Sequence, residues 1–234
     1  MTDIEKEFCL LLSAFSKHNV LQHLVLIGSW ALKVYSENYP VKHFPFKTSD
    51  VDFSIKDPRS KTKKTSPSIH EILTARGYTP EFGLISKAEK YIPSPEFFEN
   101  QLDVDFLCEY GRHIKEPYSI NGLGVKVTPV SYQHILLDNT VSLQYKDVFV
   151  IVPRPEYWAV HKIAISQKRI GKNAKIKMIK DLEGAGIIVD FLGETHIIKT
   201  ANLYAGKFNK LFEKGWKIYK EKFGNLLIDT DKDV

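Results

Sequence analysis

Apolar residues recur along the chain in two rhythms, one helical and one of period two, and the switches between them lay out most of the elements. Ile4, Phe8, Leu11, Leu12 and Phe15 share one side of a helical wheel, which predicts an amphipathic helix over residues 3–18. Thr2 and Glu5 at its start have capping-box spacing. The run "HLVLI" (23–27) predicts a buried strand, and Trp30 to Tyr35 a helix that begins just after Gly28-Ser29. In "SDVDFSI" (49–55) the period becomes two, with Val51, Phe53 and Ile55 on one face and Asp50, Asp52 and Ser54 on the other. "QLDVDFLCEY" (101–110) repeats the pattern, with Leu102, Val104 and Phe106 opposed to Asp103, Asp105 and Leu107.

Between and after these runs the pattern predicts a helix capped by Ser66, with Pro67 at its first position and Gly77 at its end. It predicts a strand over 82–92, a strand pair around Asn121-Gly122, a short helix in "PVSYQHILLDN" and a hairpin in "VSLQYKDVFVIV". The "PRP" at 153–155 ends the strand-like texture. Helical runs follow at 155–169, about 172–191 and about 194–223, the last with Leu211, Phe212, Trp216 and Tyr219 at helical spacing. The expected class is α+β: a mixed sheet with flanking helices over residues 1–152, then a helical domain over 153–234.

Charge sharpens this division. The net charge is +5, but residues 153–234 hold 16 Lys and Arg against 10 Asp and Glu, whereas residues 1–152 are nearly neutral. A basic helical half suits a polyanion such as nucleotide phosphates or RNA. No apolar run approaches the ~18 residues of a membrane span, and the acidic start "MTDIEKEF" has no secretory pattern. Both point to a cytoplasmic protein with no membrane partner. Cys9 and Cys108 show neither a disulfide framework nor metal-ligand spacing, and read as reduced thiols.

Two features carry chemistry. Period two puts Asp50 and Asp52 on the same strand face about 7 Å apart, where each raises the other's pKa unless a cation lies between them. Oxygen-only ligands of this kind suit Mg²⁺, and a third carboxylate from a neighbouring strand would complete a two-metal site. Asp103 and Asp105 are both candidates for it. Gly28-Ser29, between a buried strand and a helix, exposes backbone N–H groups to an anion, and the Ser29 hydroxyl adds a donor. A phosphate cradle plus metal-binding carboxylates is the equipment of phosphoryl or nucleotidyl transfer.

The order Gly-Ser, then Asp-x-Asp on the next strand, then an acid on a later strand resembles the nucleotidyltransferase superfamily of DNA polymerase β-like fold. It stands here as "LIGSWAL", "TSDVDFSI" and "VDFL", where Asp105 precedes the apolar pair that follows the third acid of the family. The 20 residues between Ser29 and Asp50 resemble the longer spacer of an uncharacterised bacterial branch, and of toxin-type nucleotidyltransferases from abortive-infection and toxin–antitoxin systems. The segment "RPEYWAVHKIAISQKRIGKNAKIKMIKDLEGA" is similar to the helical part those proteins carry after the catalytic domain. The resemblance implies Asp50, Asp52 and Asp105 as catalytic metal ligands for two Mg²⁺ ions. It implies nucleotide binding by Gly28, Ser29, Lys162, Arg169, Lys180 and Asp181, with Lys162 and Arg169 on one helix face. A nucleoside triphosphate would be the donor, and an RNA 3′ end, a protein or a small molecule the hydroxyl acceptor. An antitoxin or other regulatory partner goes with the toxin-type branch. The alternative is a catalytically silent nucleotide- or RNA-binding module on the same scaffold.

Overall fold

A computed structural model of the chain describes residues 2–41, 48–82, 89–94, 102–111 and 113–224. As far as they are described, residues of 1–38 and 45–153 form one compact unit, and residues of 39–44 and 154–234 form a second.

The first unit opens with helix α1 (Asp3–Lys17), started by the expected capping box: the Glu5 N–H donates to Thr2 Oγ1 (3.3 Å) and the Thr2 N–H to the Glu5 carboxylate (3.0 Å). Strand β1 (Val25–Ile27) is buried along its whole length and leads through Gly28-Ser29 into α2 (Trp30–Asn38). Strand β2 (Asp50–Ser54) follows, then α3 (Ile69–Ala75). The cap of α3 is Ser68, not Ser66. Ser68 and Glu71 form the reciprocal bonds of a second capping box, and that pairing fixes the helix start two residues later than the Ser66-Pro67 pattern predicts. Gly77 follows the helix at φ +82°, a conformation glycine adopts without penalty.

The single strand expected over 82–92 is instead an antiparallel pair, β3 (Tyr78–Phe82) and β4 (Glu89–Pro93); residues 83–88 lie outside the described residues. Strand β5 (Asp103–Glu109) comes next, then the hairpin β6 (Tyr118–Ile120) and β7 (Val125–Val130) around Asn121-Gly122. The short helix α4 (His134–Leu137) precedes the hairpin β8 (Thr140–Tyr145) and β9 (Val148–Pro153), whose strands form a separate two-stranded sheet.

Among the described residues the main sheet has seven strands in the order β1-β2-β5-β4-β3, with β7 also paired to β5, and β6 outside β7. It is mixed: β2 and β7 run parallel to β5, and the other neighbours are antiparallel. Its inner face carries the apolar half of the alternation. Val51, Phe53, Val104 and Phe106 are buried, with Phe53 between Phe15 of α1 and Phe106 of β5 at ring distances of 5.7 and 6.1 Å. Each such ring contributes about 1.5–3 kcal/mol by leaving water. The strong burial on one face leaves the register little freedom, because a slip of one residue would turn the aspartates inward.

The second unit consists of α5 (Pro155–Ser166), α6 (Ala174–Leu192), α7 (Glu194–Ala201) and α8 (Lys207–Phe223). The single run expected over 194–223 is two helices. Gly206, at φ +72°, stands immediately before the second, and a helix cannot pass through that conformation. Trp158, Ile163, Leu182, Ile188, Phe212 and Tyr219 fill the interior. Trp216 stacks between Phe212 and Tyr219, at ring distances of 5.7 and 5.2 Å. Among the described residues no helix is long and apolar enough to cross a membrane.

Candidate active site

The site is built by strand register. On β1 and β2, Ile27 and Asp52 are Cα partners, so the Gly28-Ser29 turn begins one residue beyond the level of Asp52. Across the parallel pair β2 and β5, Asp50 is the partner of Asp103 and Asp52 of Asp105. Paired strands lie about 4.8 Å apart, and partners project to the same side. The four aspartates therefore form a two-by-two array on the face opposite Val51, Phe53, Val104 and Phe106. The sequence offered Asp103 and Asp105 as alternatives for one place; the register brings both to the array, Asp105 beside Asp52 and Asp103 beside Asp50.

Gly28 has φ +68°, and a Cβ added to it would collide with the Asp52 carboxylate. The space beside the Gly28 Cα is taken up by the Asp52 side chain. The requirement for glycine is thus double: a left-handed backbone and the close approach of an acid. Beyond the turn, the Leu32 N–H bonds to the Ser29 carbonyl 3.1 Å away as α2 begins.

Lys90 on β4 also belongs to the array, and sequence reasoning missed it. It is the Cα partner of Asp105. Its Nζ donates to Asp50 Oδ1 at 2.8 Å, and lies 2.8 Å from Asp103 Oδ2 and 3.7 Å from Asp105 Oδ2. Burial alone would lower the Lys90 pKa, but the hydrogen bonds to Asp103 and Asp50 and the charge of Asp105 outweigh it and hold it above its ordinary value. The Asp105 pKa is also pushed up, to about 6, which for a carboxylate favours the neutral form. Burial is the main cause, Lys90 opposes it, and the charges of Asp52, Asp50 and Asp103 add to it.

The array fits a hard divalent cation in its chemistry. The donors are carboxylate oxygens alone, the set that Mg²⁺ prefers. Asp103 Oδ1 is buried without a hydrogen-bond partner, a lone pair with nothing to satisfy it. Among the described residues no three His, Cys, Asp or Glu side chains converge as a ready-made metal cage, and an ammonium lies among the carboxylates in its stead.

The other four expected site residues belong to the second unit, and three of them meet. Lys162 Nζ donates to Asp181 Oδ1 at 2.9 Å, and Arg169 Nε to Asp181 Oδ2 at 2.6 Å. Lys162 and Asp181 are buried, and Lys162 Nζ lies 5.5 Å from the centre of the Trp158 ring. Burial would raise the Asp181 pKa, but the two cations hold it below the usual carboxylate value. Lys162 and Arg169 do not share a helix face as expected, because α5 stops at Ser166; Arg169 reaches Asp181 from beyond the helix end. Lys180 precedes Asp181 on α6 and is half-buried.

A mixed sheet with Gly-Ser after one strand, Asp-x-Asp on its neighbour and a further acid in register on the next defines a DNA polymerase β-like nucleotidyltransferase fold. A nucleotidyltransferase family model matches residues 7–205, and the chain belongs to that family. Among solved structures it is similar to an antigenic nucleotidyltransferase-like protein from Paracoccidioides brasiliensis, at 15% identity and a TM-score of 0.52 over 96% of this chain and 90% of that one. A further similar structure is the antibiotic-resistance factor ANT(2'')-Ia, at 11% identity and a TM-score of 0.46 over 92% of this chain and 94% of that one. No curated protein matches the chain.

Proposed function

We propose that the chain transfers a nucleoside monophosphate from a nucleoside triphosphate to a hydroxyl acceptor with the help of Mg²⁺, and that the aspartate array is where this happens. The observation that supports the reading most is the register of Asp52 with Asp105 beside Gly28. It sets two carboxylates from different strands next to the turn that leads into α2.

In this reading Asp50, Asp52 and Asp105 hold the metal ions, which when bound supply charge neutralisation of the triphosphate and acidify the attacking hydroxyl. Gly28 and Ser29 orient the phosphates through backbone N–H groups and the Ser29 hydroxyl. Asp105, in register with Asp52 beside the turn, is the carboxylate placed to hold the second metal ion where the acceptor hydroxyl loses its proton. Asp103 keeps the array polar and pairs with Lys90. In the second unit Asp181 fixes Lys162 and Arg169 as a preformed cationic pair, and Arg169, the more exposed of the two, is the one to reach an anion. Lys180 adds charge to the same helix. The excess of lysine in residues 153–234 favours a polyanionic acceptor, an RNA 3′ end, over a small molecule.

A toxin role with a regulatory partner in the cytoplasm rests on the resemblance to the toxin-type branch, and growth arrest on expression, reversed by Asp52→Asn, tests it. Incubation with each α-labelled nucleoside triphosphate and cell extract tests the transfer itself. Label in RNA with wild type and none with Asp52→Asn is the expected result, whereas label in protein or small molecules would reassign the acceptor. The second reading, a silent nucleotide-binding module, draws on the Lys90 ion pairs, which already engage Asp50 Oδ1 and Asp103 Oδ2 without a metal. It requires nucleotide binding with no labelled product.

A further inference from the structure

Lys90 spans the array. From β4 its side chain passes over β5, so that one ammonium touches Asp103 and Asp105 on β5 and Asp50 on β2. Three carboxylates on two strands thus converge on a single monovalent cation. Four aspartates on facing positions of paired strands repel one another, and an ammonium held among their oxygens relieves that repulsion as a metal ion would. The hydrogen bonds to Asp50 and Asp103, both 2.8 Å, are short enough to be full charge-assisted bonds. An oxygen engaged in this way cannot give the same lone pair to a metal.

Resting on the metal reading above, we propose that Lys90 is a positioning residue that competes with the divalent cation for the aspartate array. With no metal bound, the ammonium keeps β2 and β5 aligned and the carboxylates converged. When a divalent cation enters, Lys90 gives up its contact with Asp50 and lets those oxygens turn to the metal. The arrangement makes the free protein a weak binder of metal alone. Lys90 is a built-in occupant, and its removal exchanges a held array for one with higher affinity for divalent ions.

The probe is Mn²⁺, titrated into wild type, Lys90→Met, Lys90→Gln, Lys90→Arg and Asp52→Asn and followed by the loss of the free-ion electron paramagnetic resonance signal. Lys90→Met and Lys90→Gln are expected to bind Mn²⁺ roughly tenfold more tightly than wild type, the loss of one competing charge-assisted bond. Lys90→Arg, which keeps the charge, should stay near wild type, and Asp52→Asn should bind more weakly. Metal-free Lys90→Met should melt below wild type and gain more in Tm from Mn²⁺. Lys90→Gln retains a hydrogen-bond donor and serves if Lys90→Met does not fold. Equal or weaker Mn²⁺ affinity in the uncharged variants overturns the competition alone. Absence of Mn²⁺ binding to wild type and variants overturns the metal reading and the competition with it.

Discussion

Asp52 and Asp105 are Cα partners on adjacent parallel strands, and Asp50 and Asp103 repeat the relationship two residues earlier. Period-two alternation puts Asp103 and Asp105 on one face and cannot rank them. The proposed ranking rests on register: the Asp52 and Asp105 pair lies next to Ile27 and the turn that follows it, whereas Asp50 and Asp103 lie one pleat away and make the two 2.8 Å contacts with Lys90.

The first prediction follows from that ranking. Asp105→Asn should lower kcat by roughly 100-fold or more with little change in nucleotide affinity, because its proposed role is exercised in the transition state. Asp103→Asn should cost much less. Steady-state kinetics of both variants decide the matter, and a larger loss at Asp103 would reverse the assignment.

Acidity gives the second. The Asp105 pKa rises from 3.8 to about 6 on folding, so between those values the folded chain keeps a proton that the unfolded chain has released. Stability contributed by this group is therefore greatest below about pH 4 and falls as pH rises to about 6. Metal-free wild type should show a downward component in Tm between pH 4 and 6.5 that Asp105→Asn lacks, and identical profiles would refute the shift.

Asp181 has the opposite sign. Its pKa is depressed, so its contribution is present above the ordinary carboxylate range and is lost as pH falls through the lower folded value. Asp181→Ala leaves Lys162 buried without its carboxylate and should cost roughly 3–5 kcal/mol in denaturant unfolding. A loss under 1 kcal/mol would mean that the two cations find other partners or water.

Gly28→Ala should destabilise by about 1–3 kcal/mol, from a positive φ on a non-glycine residue and from contact with Asp52. The double variant Gly28→Ala with Asp52→Ala removes the contact but not the backbone strain. Its loss should therefore be smaller than the sum of the two single losses, a coupling that thermal or denaturant unfolding of the four proteins measures.

Much of this was legible in the sequence, for reasons that differ by element. The alternation in residues 50–55 and 103–107 was readable because one strand face is buried and the other is acidic, so strand, face and carboxylates appeared together. Thr2 and Glu5 announced α1 because a capping box is a local device. The Ser68-Glu71 box is as local, but Ser66-Pro67 two residues earlier offers a rival start, and only the bonds actually made choose between them. The break at 202–206 was hidden because helical spacing of apolar residues continues across it, and Gly206 alone marked it. Lys90 was beyond reach for another reason. It sits in a charged, weakly alternating stretch, and its importance lies in which strand lies beside β5. Strand order is a property of tertiary pairing, which a linear pattern does not encode.

The placement of Tyr39 bears on how this chain can be taken apart. Its ring lies 5.7 Å from that of Phe191, and residues 39–41 belong with the helices rather than with the sheet that precedes and follows them in sequence. The helical part is therefore not a cassette that starts at Arg154. A fragment cut there leaves behind an aromatic side chain supplied more than a hundred residues upstream, and with it one wall around Phe191. Gene fusions, domain swaps and expression trials that treat residue 153 as a clean seam would sever this insertion. Recombination between relatives at that point would inherit a helical half from one parent and its Tyr39 contact from the other.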